Sequence, residues 1–224
     1  MKTIGKGLFS AILGLIAFGL LLFVPAGTLH YWQAWVFLAV FAASTWIPSM
    51  YLIRTNPAAL ERRMRFGPTA ETRPLQRVVI AVIFLCFPAM FVVSVIDHRL
   101  GWSAVPTAVC LFGDVLVAAG LVLAMLVVIQ NGYAAANVTV EAGQTLVSTG
   151  LYGVVRHPMY TGNVALMVGV PLALGSYWGL VFLVPGLIVL VVRILDEEQL
   201  LTHELSGYRE YTHQVRYRLL PYLW

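Results

Sequence analysis

The sequence predicts an all-α integral membrane protein with about four transmembrane helices, a C-terminal re-entrant or turned helical hairpin, and an amphipathic cytoplasmic helix. Of its 224 residues, 60% are hydrophobic and only 11% are charged, whereas about a quarter of the residues of a soluble domain are charged. The mean hydropathy is +0.84, and the apolar residues fall into runs close to the roughly 20 residues that cross a bilayer. The bilayer is therefore the expected surrounding of most of the chain.

Four apolar runs are long enough to span. The first follows Lys2 and Lys6 but lacks a cleavage pattern of the A-x-A type, so it predicts a retained helix and not a signal peptide. The four predicted spans are Leu8–Val24, Trp35–Ile53, Val78–Ile96 and Pro106–Ile129.

The distribution of arginine predicts the orientation. Arg54–Arg77 contains six arginines and two glutamates, whereas Asp97–Ser103 contains one arginine. Because cytoplasmic loops carry the excess of Lys and Arg, we expect the arginine-rich loop and both termini to be cytoplasmic. A bacterial inner membrane and an endoplasmic reticulum membrane would both accommodate this multi-pass topology. The same asymmetry explains the net charge of +4, so no nucleic-acid partner is implied.

The chain changes character after the fourth span. Asn131–Tyr152 is polar and predicts a cytoplasmic loop. Asn163–Leu190 is apolar but is interrupted by glycine and proline, which favours a hairpin with Gly175–Gly179 at its tip. Arg193–Arg218 has a helical amphipathic pattern that is typical of packing at the membrane interface.

Two charged motifs bracket the hairpin. The first is Arg156-His-Pro-Met-Tyr160 and the second is Arg193-Ile-Leu-Asp-Glu-Glu198, with more than thirty uncharged residues between them. A stretch of that length can enter the bilayer and return, which brings both motifs to one membrane surface. Polar groups at the edge of the hydrocarbon are costly and often functional, so the pair predicts an active site.

These motifs also carry a resemblance to a known family. Together with Gln144–Tyr152, and with Gly207–Tyr211 and the segment from Val215 to Pro221, they resemble the isoprenylcysteine carboxyl methyltransferase family and the related membrane phospholipid methyltransferases. The likeness covers about Asn131–Trp224. It implies one domain over residues 1–224, in which transmembrane helices (1–130) support a cofactor-binding catalytic region (131–224).

The resemblance implies S-adenosylmethionine as cofactor. The chain has no G-x-G-x-x-G fingerprint of a soluble dinucleotide domain, which agrees with this family. Gln144 stands where the family often has histidine. Carried over residue by residue, the cofactor contacts are Gln144, Thr145, Leu146, Val147, Tyr152, His157, Pro158, Met159, Tyr160 and Glu197.

Two residues are the catalytic candidates. Arg193 matches the position that meets a substrate carboxylate, which a guanidinium binds in a two-pronged geometry. Glu198 would take the proton of an amine acceptor. The favoured acceptor is therefore a lipidic carboxylate such as a prenylated cysteine, and the alternative is a phospholipid or amine N-methyltransferase. A sterol-type reductase and a non-enzymatic scaffold are further alternatives, although a nicotinamide-phosphate pocket would need more basic residues than this tail has.

The remaining ionisable residues predict no metal site. Cys86 and Cys110 lie in apolar segments without a CxxC or CxxH neighbour, so they are expected to be small buried side chains. Asp114 is expected to cap a helix or to face the bundle interior. The spacing of Gly14 and Gly19 is compatible with helix pairing but defines no oligomeric state.

Overall fold

The computed structural model describes residues 2–58, 73–134, 138–140 and 143–224, with side chains described from residue 12 onward. These residues form seven α-helices and no strand, which confirms the all-α prediction. Short 3-10 turns lie at Gly150–Gly153 and Trp178–Phe182. The helices are α1 (Lys2–Ala26), α2 (Trp32–Thr55), α3 (Pro74–Leu100), α4 (Thr107–Gln130), α5 (Pro158–Ala173), α6 (Leu183–Glu204) and α7 (Tyr208–Gln214).

In the part of the chain that the structure describes, four helical segments are long and apolar enough to cross a membrane. Three are α2, α3 and α4, which correspond to the second, third and fourth predicted spans, and the fourth is Trp178–Glu204. The first predicted span lies in α1, whose described apolar part, Ile12–Ala26, is shorter. The return arm of the hairpin is thus itself of spanning length. Pro185 does not interrupt it, because it lies in the first turn of α6, where backbone N–H groups have no partner within the helix.

The predicted turned hairpin is confirmed, and polar contacts fix its tip. α5 ends at Ala173, and the chain reverses through Gly175, whose φ is +71°. The hydroxyl of Tyr31 donates to the carbonyl of Leu174 at 2.6 Å. Fully buried Asp97 accepts hydrogen bonds from the hydroxyls of Ser103 and Ser176. The tip is therefore tied to the start of α2 and the end of α3.

The amphipathic segment is divided between two helices. α6 ends at Glu204, Gly207 adopts a left-handed conformation with φ +80°, and α7 begins at Tyr208. The predicted apolar face is nevertheless real, because Leu205, Tyr208 and Tyr211 are buried together. Beyond α7 the chain continues as a non-helical tail, residues 215–224. The helical periodicity hence predicts the burial of Leu205, Tyr208 and Tyr211 but not the exposure of Leu195, which is 48% exposed, and it does not reveal the break.

Glycines bring α4 and α5 into close contact. Gly120 faces Gly162, and a Cβ atom added at Gly120 would lie 2.6 Å from the carbonyl oxygen of Gly162. At the other end, a Cβ atom added at Gly169 would lie 2.9 Å from the carbonyl oxygen of Gly113. Small residues allow backbones to approach closely between membrane helices. This contact holds the start of α5, which carries the first charged motif, against the end of α4.

We expect Gly120→Ala to destabilise the protein by about 1 to 3 kcal/mol, the usual cost of overpacking a tight contact. The added methyl group would meet backbone atoms of α5, which cannot move without separating the helices. Thermal unfolding of the purified protein in detergent measures the effect. Gly14→Ala is the matched control, because a Cβ atom there meets nothing within 4 Å. Equal melting temperatures for the two variants would contradict the packing argument.

The predicted orientation can be tested by cysteine labelling in sealed cells. Ala104 is exposed in the short connection between α3 and α4, and Gln214 is exposed at the end of α7. We expect an impermeant maleimide added from outside to label Ala104→Cys and to spare Gln214→Cys, because positive loops stay in the cytoplasm. The unsubstituted chain, with Cys86 and Cys110, gives the background. The opposite labelling pattern would invert the topology.

Candidate active site

One cavity collects the residues that the motifs singled out. It encloses about 830 Å³ of empty space, open solvent included, between the loop after α4, the start of α5, the end of α6, and α7. All ten predicted cofactor contacts line this cavity, namely Gln144, Thr145, Leu146, Val147, Tyr152, His157, Pro158, Met159, Tyr160 and Glu197. The two predicted catalytic residues, Arg193 and Glu198, do not line it.

Several residues that line the cavity are not among the predicted site residues. Arg156 belongs to the first motif, but the sequence assigns it no cofactor or substrate role. Leu200, Leu201 and Leu205 were expected only to pack, because their helical spacing is equally typical of a buried face. The other wall residues that were not predicted are Asn131, Tyr133, Ala134, Val138, Thr139, Tyr208 and Tyr211.

The first motif is shaped by its proline and by the tail. His157 is the residue before α5, with φ −126° and ψ 63°, and Pro158 occupies the first helical position. Proline suits this position because its missing N–H would have no partner in the helix. The backbone N–H groups of Arg156 and His157 donate to the carbonyls of Tyr217 and Arg218, each at 2.9 Å. The motif is therefore held from both its helix and the tail.

Tyr160 connects the cavity wall to a buried polar network. Its hydroxyl donates to Oε2 of Glu197 at 2.5 Å and accepts from Nε of Arg193 at 2.9 Å. Glu197 lines the cavity, whereas Arg193 is buried behind Tyr160. The hydroxyl of Tyr160 thus holds the carboxylate of Glu197 on the cavity wall. Because Arg193 holds the same hydroxyl, the position of Glu197 also depends on Arg193.

Behind Tyr160, Arg193 is anchored to α3. Its Nη1 donates to Oε1 of fully buried Gln76 at 2.8 Å. The amide nitrogen of Gln76 donates to Oδ2 of Asp196 at 2.6 Å, and Nε of Arg73 donates to the same oxygen at 2.9 Å. These contacts clip the start of α3 to α6. They place the guanidinium of Arg193 away from the cavity, so a direct clamp on an acceptor is not part of this arrangement.

Glu198 belongs to a separate ion cluster. Its Oε1 lies 2.9 Å from Nε of Arg156 and 3.1 Å from Nε2 of His157, and its Oε2 accepts from Nε of Arg218 at 2.9 Å. Two guanidinium groups stabilise the ionised carboxylate. Glu198 is consequently poorly placed to accept a proton, and its contacts join the first motif, α6 and the tail.

The buried phenols of Tyr152, Tyr208 and Tyr211 on the wall remain neutral at physiological pH. Burial raises the pKa of Tyr152 to about 12, and the hydroxyl of Tyr152 accepts a hydrogen bond from Asn131 at 3.2 Å. Burial also raises the pKa of Tyr208 and of Tyr211. Aromatic faces and neutral hydroxyls beside the carboxylate of Glu197 can hold a cation with an aromatic ring and hydroxyl groups.

The other notable polar residues lie away from the cavity. Asp114 is buried within α4 and does not cap it, and neither of its carboxylate oxygens has a hydrogen-bond partner among the described residues. His98 stacks on Tyr31 with ring centroids 3.7 Å apart. Among the described residues there is no group of three or more His, Cys, Asp or Glu side chains that could hold a metal ion.

Comparison with known families agrees with the motifs. Residues 109–208 match the family model described as phospholipid methyltransferase. No curated protein sequence matches the chain. The matched residues run from α4 to the first residue of α7 and include most of the cavity wall, but not α1 to α3 or the tail. Residues 109–208 are therefore similar to the phospholipid methyltransferase family, the group of membrane methyltransferases that the motifs resemble.

Proposed function

We propose that this protein is an S-adenosylmethionine-dependent membrane methyltransferase that methylates the carboxylate of a lipidic acceptor, such as a prenylated cysteine. One observation carries the cofactor assignment. The ten residues chosen from separate motifs line one and the same cavity. When bound, S-adenosylmethionine supplies an electrophilic methyl group on a sulfonium cation.

The donor set of the cavity fits this cofactor. Glu197 can bind an amino group or a ribose hydroxyl through a charge-assisted hydrogen bond. Tyr152 and Tyr160 can present π faces or hydroxyls, and Leu146 and Leu201 supply apolar surface for an aromatic base. Each role uses a side chain on the cavity wall.

The surroundings of Glu198 favour a carboxylate acceptor. An amine must lose a proton during methylation and needs a base, whereas a carboxylate needs none at neutral pH. Glu198 is already neutralised by Arg156 and Arg218. Of the two arginines in the paired motifs, Arg156 lines the cavity and Arg193 does not, so we assign the acceptor carboxylate to Arg156. Arg193 then acts as the support of Tyr160 and Glu197.

A phospholipid or amine acceptor is the second candidate. The description of the matching family favours it, and Glu197 would then be the carboxylate nearest to the cavity. Glu197 would then have to accept a proton from the amine while it also accepts the hydrogen bond from the hydroxyl of Tyr160.

A transfer assay separates the two candidates. The full-length protein in lipid nanodiscs would receive S-adenosylmethionine with a radiolabelled methyl group and either a farnesylated cysteine analogue or phosphatidylethanolamine. A methyl ester releases volatile methanol in alkali, whereas an N-methyl group does not. We expect the alkali-labile product from the farnesylated acceptor. Labelling of phosphatidylethanolamine alone would replace our acceptor by the second candidate, and failure to bind the cofactor would reject both.

We expect Glu197→Gln to weaken cofactor binding by about 1 to 3 kcal/mol, the cost of losing a charge-assisted hydrogen bond. Folding should be preserved, because glutamine still offers an oxygen to the hydroxyl of Tyr160. Isothermal titration in detergent measures the affinity. Glu204→Gln, at an exposed position on the same helix, is the control. An unchanged affinity in folded Glu197→Gln protein would remove this residue from the cofactor site.

The contacts of α3 support one functional domain over the chain. Arg73 and Gln76 lie outside the matched segment, yet they bind Asp196 and Arg193 behind the cavity wall. We therefore propose that residues 1–130 serve as the membrane scaffold and residues 131–224 as the catalytic region.

A further inference from the structure

The tail ends in a loop with three exposed, large apolar side chains. Leu220, Tyr222 and Leu223 are 41%, 89% and 77% exposed, whereas Leu219 immediately before them is buried. Adjacent exposed apolar side chains form a patch that usually marks an interaction surface. The loop is not part of the cavity wall, so the proposed chemistry leaves this patch unexplained.

The packing of Leu219 places the loop along the candidate membrane-spanning segment Trp178–Glu204. Leu219 is buried against Leu190 and Ile194 of α6, with Val164 of α5 packed beside them. Ile194 lies roughly 24 Å along the helix axis from Trp178, where the membrane-spanning segment begins, at 1.5 Å per residue. The hydrocarbon core is about 30 Å thick. With Trp178 at one edge of the hydrocarbon, Leu219 lies within roughly 6 Å of the other edge, next to the part of α6 that lines the cavity.

The loop is an ordered turn. The backbone N–H groups of Arg218 and Leu219 donate to the carbonyl of Trp224, and the N–H of Trp224 donates to the carbonyl of Leu220. The guanidinium of Arg218 lies over the ring of Trp224, 5.2 Å from its centroid. Arginines next to tyrosine, tryptophan and leucine are typical of segments anchored at the membrane interface.

We propose that Leu220–Leu223 is a membrane-inserting loop, whose three apolar side chains enter the interface of the leaflet beside the ends of α5 and α6. Exposed Arg216 lies upstream, where it meets anionic headgroups. The insertion also supports the cavity, because the carbonyls of Tyr217 and Arg218 hold the N–H groups of Arg156 and His157. The bilayer thus stabilises the wall that contains the first motif.

Spin-label accessibility tests the insertion. A nitroxide would be attached to Leu223→Cys, or to His213→Cys as control, in full-length protein carrying Cys86→Ala and Cys110→Ala and held in nanodiscs with anionic lipid. His213 is exposed on α7. We expect the label at position 223 to collide preferentially with oxygen and the label at position 213 with a water-soluble nickel chelate. A label at 223 that favours the nickel chelate overturns the proposal, as does one shielded from both reagents by protein, such as a second copy.

Hydrogen exchange tests the link to the cavity wall. The variant Leu220→Ser/Tyr222→Ser/Leu223→Ser retains the tail backbone and all cavity residues. In nanodiscs, we expect the amides of Arg156 and His157 to exchange at least several-fold faster in this variant than in the wild-type protein. In detergent micelles, amides within α4 report whether the variant is folded. Unchanged exchange at Arg156 and His157 in folded protein overturns the coupling.

Discussion

Glu198→Gln is expected to destabilise the protein by about 3 kcal/mol and to weaken cofactor binding at the same time. Glu198 has little exposed surface and neutralises both Arg156 and Arg218. Glutamine keeps one acceptor oxygen but turns an amide N–H₂ group toward a cationic donor. Removing one partner from a buried ion cluster leaves an uncompensated charge, which typically costs about 3 to 5 kcal/mol. Thermal unfolding and isothermal titration on the same preparation measure the two effects.

The outcome distinguishes a positioning role from a catalytic one. If Glu198 were the base for an amine acceptor, Glu198→Gln would fold normally and bind the cofactor, and only methyl transfer would be lost. If it organises the cluster, stability and affinity fall together. Glu210→Gln is the control, because Glu210 is exposed on α7. A loss of transfer with unchanged stability and affinity would restore the catalytic assignment.

Three consecutive acids show how far the sequence could predict the site. Asp196 binds Arg73 and Gln76, Glu197 lines the cavity and accepts from Tyr160, and Glu198 binds the arginine cluster. Successive residues of a helix point about 100° apart, so adjacent acids meet different surroundings. The motif located the group, but the role of each acid depends on partners from other helices.

The partners of Arg193 and Glu198 could not be predicted, because they lie on distant or irregular parts of the chain. Gln76 precedes Arg193 by 117 residues, and on its own it resembles any polar residue in the first turn of a helix. Arg218 lies in a tail that the periodicity placed at the end of a helix. By contrast, membrane spans and the hairpin follow from local hydropathy, and the residues of the first motif are neighbours in sequence. Local signals were therefore sufficient for the fold, whereas the ten predicted cavity residues depended on the family resemblance and about as many wall residues were not predicted.

Arg193→Lys is expected to lower cofactor affinity by about 1 to 2 kcal/mol and to reduce methyl transfer on the order of a hundredfold. The guanidinium donates from Nε to Tyr160 and from Nη1 to Gln76. A lysine ammonium keeps the charge but lacks the rigid fork that holds both partners. The side chain of Tyr160 would then no longer be held in one position, and neither would the carboxylate of Glu197 that it binds. Small displacements of groups that orient reactants are costly to the rate.

The ratio of the two losses identifies what Arg193 contacts. A residue that supports the cofactor wall should impair affinity and transfer together, whereas a direct acceptor clamp should impair transfer and leave cofactor affinity unchanged. Gln76→Leu is the matched variant, because it removes the second partner of Arg193 while Asp196 keeps its bond to Arg73. We expect it to reproduce both losses in milder form. If both variants bound the cofactor with wild-type affinity and only Arg193→Lys lost methyl transfer, Arg193 would be assigned again to the binding of the acceptor carboxylate. It would also require Tyr160 to move aside during the reaction, because Tyr160 lies between Arg193 and the cavity wall at Glu197.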